Sequence, residues 1–192
     1  MKFDVWVSLV RGKLAALFKQ MKIAELSYRN ALAADPSCLQ AANNLGLIYG
    51  QRGDSTLAMG YFEQVLRIDP NNITALYNVA YIQHHSGKPA LAKATFKKLL
   101  NVESKLDIAW FGLAMIYAEE NRHDLAREAL EKAVDAAPEN PHVWYALGMA
   151  NHVLDEKQNV KTIIAKLRRF NPRIAMLLER DTAVKKQSSP AH

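Results

Sequence analysis

The chain has 192 residues, 49% of them hydrophobic and 23% charged, with a net charge of +6. This is globular composition, with enough apolar surface for a continuous core. The single cysteine, Cys38, excludes an internal disulfide or a multi-cysteine metal site, and no run reaches the roughly 18 to 20 apolar residues that a membrane span needs.

The first stretch, MKFDVWVSLVRGKLAALF, reads as a helix. Asp4, Arg11 and Lys13 interrupt it and no small-residue cleavage site follows, so no signal peptide is expected. Phe3, Trp6, Leu9 and Val10 lie beside Lys2, Arg11 and Lys13, a pairing that would suit a membrane surface. The preferred reading is an end-capping helix with an ordinary solvated face. A second helix runs to Asp35-Pro36, where the residue before proline leaves the helical region. The next unit predicts helix A over Leu39 to Gln51 and helix B over Asp54 to Ile68. Gly53 can take the left-handed conformation that ends a helix, and Asp54 can cap the one that follows. Cys38 reads as a loop or helix-start residue.

The same device returns at Ser86-Gly87-Lys88-Pro89, where Pro89 suits a first helical turn. At Asn121-Arg122-His123-Asp124 an asparagine replaces the glycine, and at Asp155 the choice is weaker. Asp69-Pro70 and Ala137-Pro138 end further helices. These features share one period. Pro36, Pro70, Ser104, Pro138 and Pro172 are 34 residues apart, and nothing in the sequence accounts for the serine. Gly12, Gly46, Ala80, Ala114 and Gly148 keep the same beat, each twelve residues before Ala24, Ala58, Ala92, Ala126 and Val160. So do Val7, Ala41, Ala75, Ala109 and Val143 in helix A, and Tyr28, Phe62, Phe96, Leu130 and Ile164 in helix B. The small residues let helix B of the same unit approach, and the large ones fill the gaps between units. One pair cannot bury its face alone, so the units must stack.

The pattern resembles the tetratricopeptide repeat family, whose units carry Trp, Leu-Gly, Tyr, Gly, Ala, Phe, Ala and Pro at fixed offsets. The fourth unit supplies Trp110, Leu113-Ala114, Tyr117, Ala126, Ala133 and Pro138; the second supplies Leu45-Gly46, Tyr49, Gly53, Ala58, Phe62 and Pro70. The first unit departs most, with Ser8, Arg11 and Ala15 at the Trp, Leu and Tyr places. The resemblance implies an all-α, right-handed solenoid of helix-turn-helix repeats in one domain over 1–186. Its units would be about 5–38, 39–72, 73–106, 107–140 and 141–172. A capping helix over 173–186 would lay Ile174, Leu177 and Leu178 on the fifth unit, and residues 187–192 are expected to be disordered.

Catalytic chemistry is not expected. His84 and His85 are adjacent and diverge by about 100° on a helix, while His142 and His152 lie about 15 Å apart along one. No HExxH, GxSxG, phosphate-loop or dinucleotide motif is present. No cofactor or metal is expected. Residues 1–36 carry +3, 37–138 carry −1 and 139–192 carry +4. No RNA-binding motif accompanies the basic ends, so nucleic acid is not the expected partner.

The resemblance also implies which residues line the concave groove. They include Asn43, Asn44 and Leu47 in the second unit, and Tyr77, Asn78, Tyr81 and His84 in the third. The fourth adds Phe111 and Met115, and the fifth Tyr145 and Met149. Asn44 and Asn78 form two rungs of an amide ladder that could grip a peptide backbone. The aromatic and methionine side chains offer contact area; the alternative is that they cover the inner faces of neighbouring helices or pack on the capping helix. The basic residues of the family's carboxylate clamp are missing, since Leu9, Thr74, Ile108 and Gly112 stand in those places. The expected function is a non-enzymatic protein-interaction module or assembly scaffold, cytoplasmic and of bacterial type, holding a partner peptide or helix. The rival is a self-assembling or membrane-associated structural protein that uses its first helix and the ends of the stack.

Overall fold

A computed structural model describes residues 3–183. The described residues form eleven α-helices and no strand. These are α1 (Phe3–Leu17), α2 (Met21–Ala34), α3 (Leu39–Gln51), α4 (Ser55–Ile68), α5 (Ile73–His85) and α6 (Pro89–Val102), then α7 (Asp107–Glu119), α8 (His123–Ala136), α9 (Pro141–Val153), α10 (Lys157–Phe170) and α11 (Pro172–Ala183). The chain divides into two compact units, one up to Val102 with three helix pairs, the other from Glu103 with two pairs and α11. Residues 184–186 of the expected cap, and the tail 187–192, lie outside the described residues.

The predicted period is that of the helices. The B helices α2, α4, α6, α8 and α10 are each fourteen residues long. The A helices α3, α5, α7 and α9 are each thirteen. What keeps the register is one turn made five times. Lys19, Gly53, Gly87, Asn121 and Asp155 all have positive φ, between 57° and 83°, and stand 34 residues apart. At each, the amide of the left-handed residue donates to the carbonyl three back, and the next amide donates to the carbonyl five back. For Gly53 and Asp54 the acceptors are Gly50 (3.0 Å) and Tyr49 (2.9 Å); for Lys19 and Gln20 they are Ala16 (3.0 Å) and Ala15 (2.8 Å). These are Schellman bonds, which satisfy the last carbonyls of helix A. Asp54 then caps α4 by accepting the Leu57 N–H at 3.0 Å.

Three of the opposite junctions, those that enter α5, α9 and α11, are capped by asparagines, while Leu106 before α7 makes no side-chain cap bond. Asn72 accepts the Ala75 N–H, Asn140 the His142 N–H and Asn171 the Ile174 N–H, each at 3.1 Å. Cys38 precedes α3 without a side-chain cap bond. The serine in the proline series also finds a physical explanation. The Trp110 indole N–H donates to the Ser104 carbonyl at 2.9 Å, and the Trp144 indole N–H donates to the Pro138 carbonyl at 2.8 Å. What the position supplies to this tie is a backbone carbonyl, which serine offers as well as proline.

Packing within a pair depends on the small residues. A Cβ on Gly46 would stand 2.7 Å from the Phe62 ring, and one on Gly12 would stand 2.6 Å from the Tyr28 ring. Both rings are buried. Gly148 differs from expectation: the group above it is Leu178 of α11, not helix B of its own pair. Leu178 and Ala175 are the two buried residues of α11, so the cap closes directly on α9 and α10.

The first helix departs from expectation on its outer side. Val5, Leu9, Gly12 and Ala15 are buried. Phe3, Trp6, Val7, Val10, Leu14, Leu17 and Phe18 are exposed, and they fall within about 120° of one another at 100° per residue. The face is apolar where an ordinary solvated face was expected.

Between the first two pairs lies a polar knot. The Tyr49 hydroxyl of α3 donates to Glu25 Oε1 of α2 at 2.7 Å. Arg29 donates to the Tyr49 oxygen and pairs with Glu25 at 3.0 Å, while Arg52 closes on Glu25 Oε2. The Tyr49 ring stacks on Tyr61 with centroids 5.6 Å apart. The hydroxyl of Tyr49 and the two guanidinium groups hold the Glu25 carboxyl below its ordinary range.

Two outcomes follow from these local rules. Replacing Lys19 by glycine removes the strain of a side chain in the left-handed region and raises stability by about 1 kcal/mol, while Gly53→Ala lowers it by about 1–2 kcal/mol; urea unfolding reads both. Glu25→Gln should lower the melting temperature at pH 7. The stability contributed by the depressed carboxyl is present above its unfolded value of about 4.5 and is lost as pH falls through the lower folded value. The gap between wild type and variant therefore closes on the acid side, as pH-dependent melting would show.

Candidate functional site

The residues named from the sequence are set on A helices, and the two units present them differently. In the first unit α3 and α5 carry them. Asn44 Nδ2 donates to the Gln40 carbonyl at 2.7 Å, and Asn78 Nδ2 donates to the Thr74 carbonyl at 2.8 Å. Both amides are thus held back along their own helix in one repeated pose, each keeping its Oδ1 as an acceptor. Three residues further on, one helical step along the same face, Leu47 and Tyr81 are exposed.

Asn43 plays a different part. Its Nδ2 donates to Asn72 Oδ1 at 3.2 Å, the same oxygen that caps α5. Its own Oδ1 is buried without a hydrogen-bond partner. Asn43 therefore joins the second pair to the third. Tyr77 is half-buried, with its ring 6.3 Å from Phe96 of α6 and 6.4 Å from Tyr81. Tyr81, 47% exposed, stacks on the His85 ring at 4.0 Å, and His84 meets His85 edge-on at 5.1 Å. His85 anchors the cluster through Nδ1, 2.9 Å from the Tyr81 carbonyl. The cluster runs Tyr77, Tyr81, His85 and His84 along one side of α5.

In the second unit Phe111, Tyr145 and Met149 are half-buried, and Met115 is exposed at 41%. Tyr145 is engaged: its hydroxyl donates to Asp181 Oδ2 of α11 at 2.8 Å, and Arg180 Nε donates to Asp181 Oδ1 at 2.9 Å. Burial, then the Asp181 carboxylate, pushes the Tyr145 phenol up. The Tyr145 hydroxyl, then Arg180, holds the Asp181 carboxyl below its ordinary value. Packing on the cap was one of the two expectations for this side chain; its bond to Asp181 was not legible in the sequence, because α11 has no repeat partner to set its register. Beside it His142, Arg173, Arg180 and Met176 border an open hollow of about 650 Å³. Among the described residues no group of His, Cys, Asp and Glu could hold a metal ion, and no helix is long and apolar enough to cross a membrane.

Tetratricopeptide repeat models match residues 21–73, 85–141 and 111–158, and a second such model matches 61–94. No curated protein matches the sequence. Many solved structures share the fold. PilF of Pseudomonas aeruginosa aligns over 95% of this chain and 88% of its own, with 17% identity and a TM-score of 0.79. MamA from Desulfovibrio magneticus RS-1 aligns over 98% and 99%, with 20% identity and a TM-score of 0.74. YrrB, described as a repeat protein of this type with an unusual peptide-binding site, aligns over 88% of each chain, with 19% identity and a TM-score of 0.67.

Removing the tie on α11 should have a local effect. In Tyr145→Phe, amide hydrogen exchange is expected to quicken across α11 and stay unchanged across α7 and α8. Unchanged exchange in α11 would mean that Leu178 and Ala175 hold the cap without the hydroxyl.

Proposed function

Because the chain belongs to the tetratricopeptide repeat family, a family of protein-interaction scaffolds, we propose that it works without catalysis, holding an extended peptide or a helix against the exposed faces of its A helices. The supporting observation is the repeated pose of Asn44 and Asn78, each followed by an exposed apolar side chain, Leu47 or Tyr81. Two amide acceptors at the same place in consecutive repeats suit the N–H groups of a peptide backbone, whatever its side chains. Leu47 and Tyr81 add apolar contact beside them, and a tyrosine gives much area for little conformational entropy. In the second unit Met115 offers adaptable apolar surface. The peptide-binding site described for YrrB is a precedent on this fold. The cytoplasm suits the free thiol of Cys38, which has no partner cysteine in the chain.

Selection from a displayed random-peptide library tests this reading. Peptides selected on the wild-type chain should bind Tyr81→Ala and Asn78→Ala about tenfold or more weakly, the effect of losing a well-packed contact. Both positions lie on the surface of α5, so circular dichroism should be unchanged. Selected peptides that bind both variants as well as wild type would place the binding surface elsewhere.

A further inference from the structure

On the outer side of α1, Trp6, Val7, Val10 and Leu14 join Phe18 and Ile23 of α2 around an open apolar trough of about 430 Å³. Trp6 is 50% exposed and Leu14 52%. A patch of this kind on a soluble chain marks an interaction surface.

The repeat register indicates what such a face receives. Val7 stands where α3 has Ala41 and α5 has Ala75, both fully buried. Leu14 stands where they have Ile48 and Ile82, also buried. Both α3 and α5 have a preceding B helix packed on them, α2 and α4 respectively. Among the described residues α1 has none. Through Val7, Arg11 and Leu14 the trough therefore continues a helix-on-helix interface already made twice in this unit, and Trp6, Val10, Phe18 and Ile23 extend it with apolar surface. The charges select the partner further. Arg11 lies in the lining, at the place of Leu45 and Val79; Lys13 on α1, Lys19 in the turn and Lys22 next to Ile23 are exposed, while the carboxylates of α1 and α2 are Asp4 and a Glu25 already tied to Tyr49, Arg29 and Arg52. A cationic rim on an apolar trough complements an apolar stripe flanked by carboxylates.

We infer that the trough between α1 and α2 receives an amphipathic helix with acidic flanks from another polypeptide, seated as each B helix seats on the next A helix. The argument for this surface does not rest on the binding face proposed above for α3 and α5, with which it shares only the repeat position of Val10.

The probes are two helix-stabilised peptides of fourteen residues, the length of a B helix here. Leucines occupy one face of both; glutamates fill the rest of one, lysines the rest of the other. In calorimetric titration of the full chain, the glutamate peptide binds and the lysine peptide binds roughly tenfold more weakly or not at all. Leu14→Glu abolishes binding; since Leu14 is half exposed, this variant keeps its fold, as circular dichroism checks. The double variant Arg11→Glu, Lys13→Glu reverses the preference between peptides. The inference is overturned if neither peptide binds, or if charge reversal leaves the preference unchanged. It is equally overturned if phosphatidylglycerol vesicles, rather than either peptide, take up the chain and release Leu14→Glu. A dimer in sedimentation that Leu14→Glu dissolves, with no peptide bound, would make the occupant a second copy and overturn it too.

Discussion

Five left-handed residues, each followed by an amide that reaches back five positions, hold this chain in register. The turn they make does two things at once. It satisfies the carbonyls that helix A would otherwise leave unpaired, and it sends the chain back so that helix B lies against the same face. Everything else in the fold takes its place from that geometry. Gly46 can meet the Phe62 ring only because both helices start and stop at fixed distances from Gly53. The Trp110 and Trp144 indoles reach a carbonyl six residues back only because the B-to-A junction has a constant length.

Much of this was legible in the sequence, for a definite reason. Gly53, Gly87, Asn121 and the prolines act through backbone preferences that residue type carries with it. Helix A over Leu39–Gln51 was placed to the residue, and Asp54 was read as a cap. Lys19 was overlooked because lysine carries no left-handed preference; there the turn is imposed by the packing of α1 on α2. The caps of Asn72 and Asn140 are not distinctive in the sequence, because an asparagine two residues after a proline suits the turn as well as the helix start. Ser104 lacked explanation until the indole bond showed that the position acts through its carbonyl.

The binding surface was less legible, since side-chain direction is a tertiary property. Asn43 and Asn44 are neighbours of the same type, yet one joins two helix pairs through Asn72 and the other folds back on Gln40. Tyr145, expected to line the groove or to pack on the cap, bonds its hydroxyl to Asp181 of α11. The outer face of α1 looked solvated because Asp4, Arg11 and Lys13 break up its sequence. On the helix those charges fall at the borders of a continuous apolar stripe.

The Schellman turn also governs how such a chain can change over generations. Its two bonds, three back and five back, fix each turn locally, while helices of thirteen and fourteen residues set the chain length between one turn and the next. One residue inserted into a helix would rotate everything beyond it by about 100° and turn its buried stripe toward water. Surface loops of most folds absorb insertions readily; here the connections are too short and too fully bonded to do so. A change of length that leaves every buried stripe facing the core is therefore one of a whole 34-residue step.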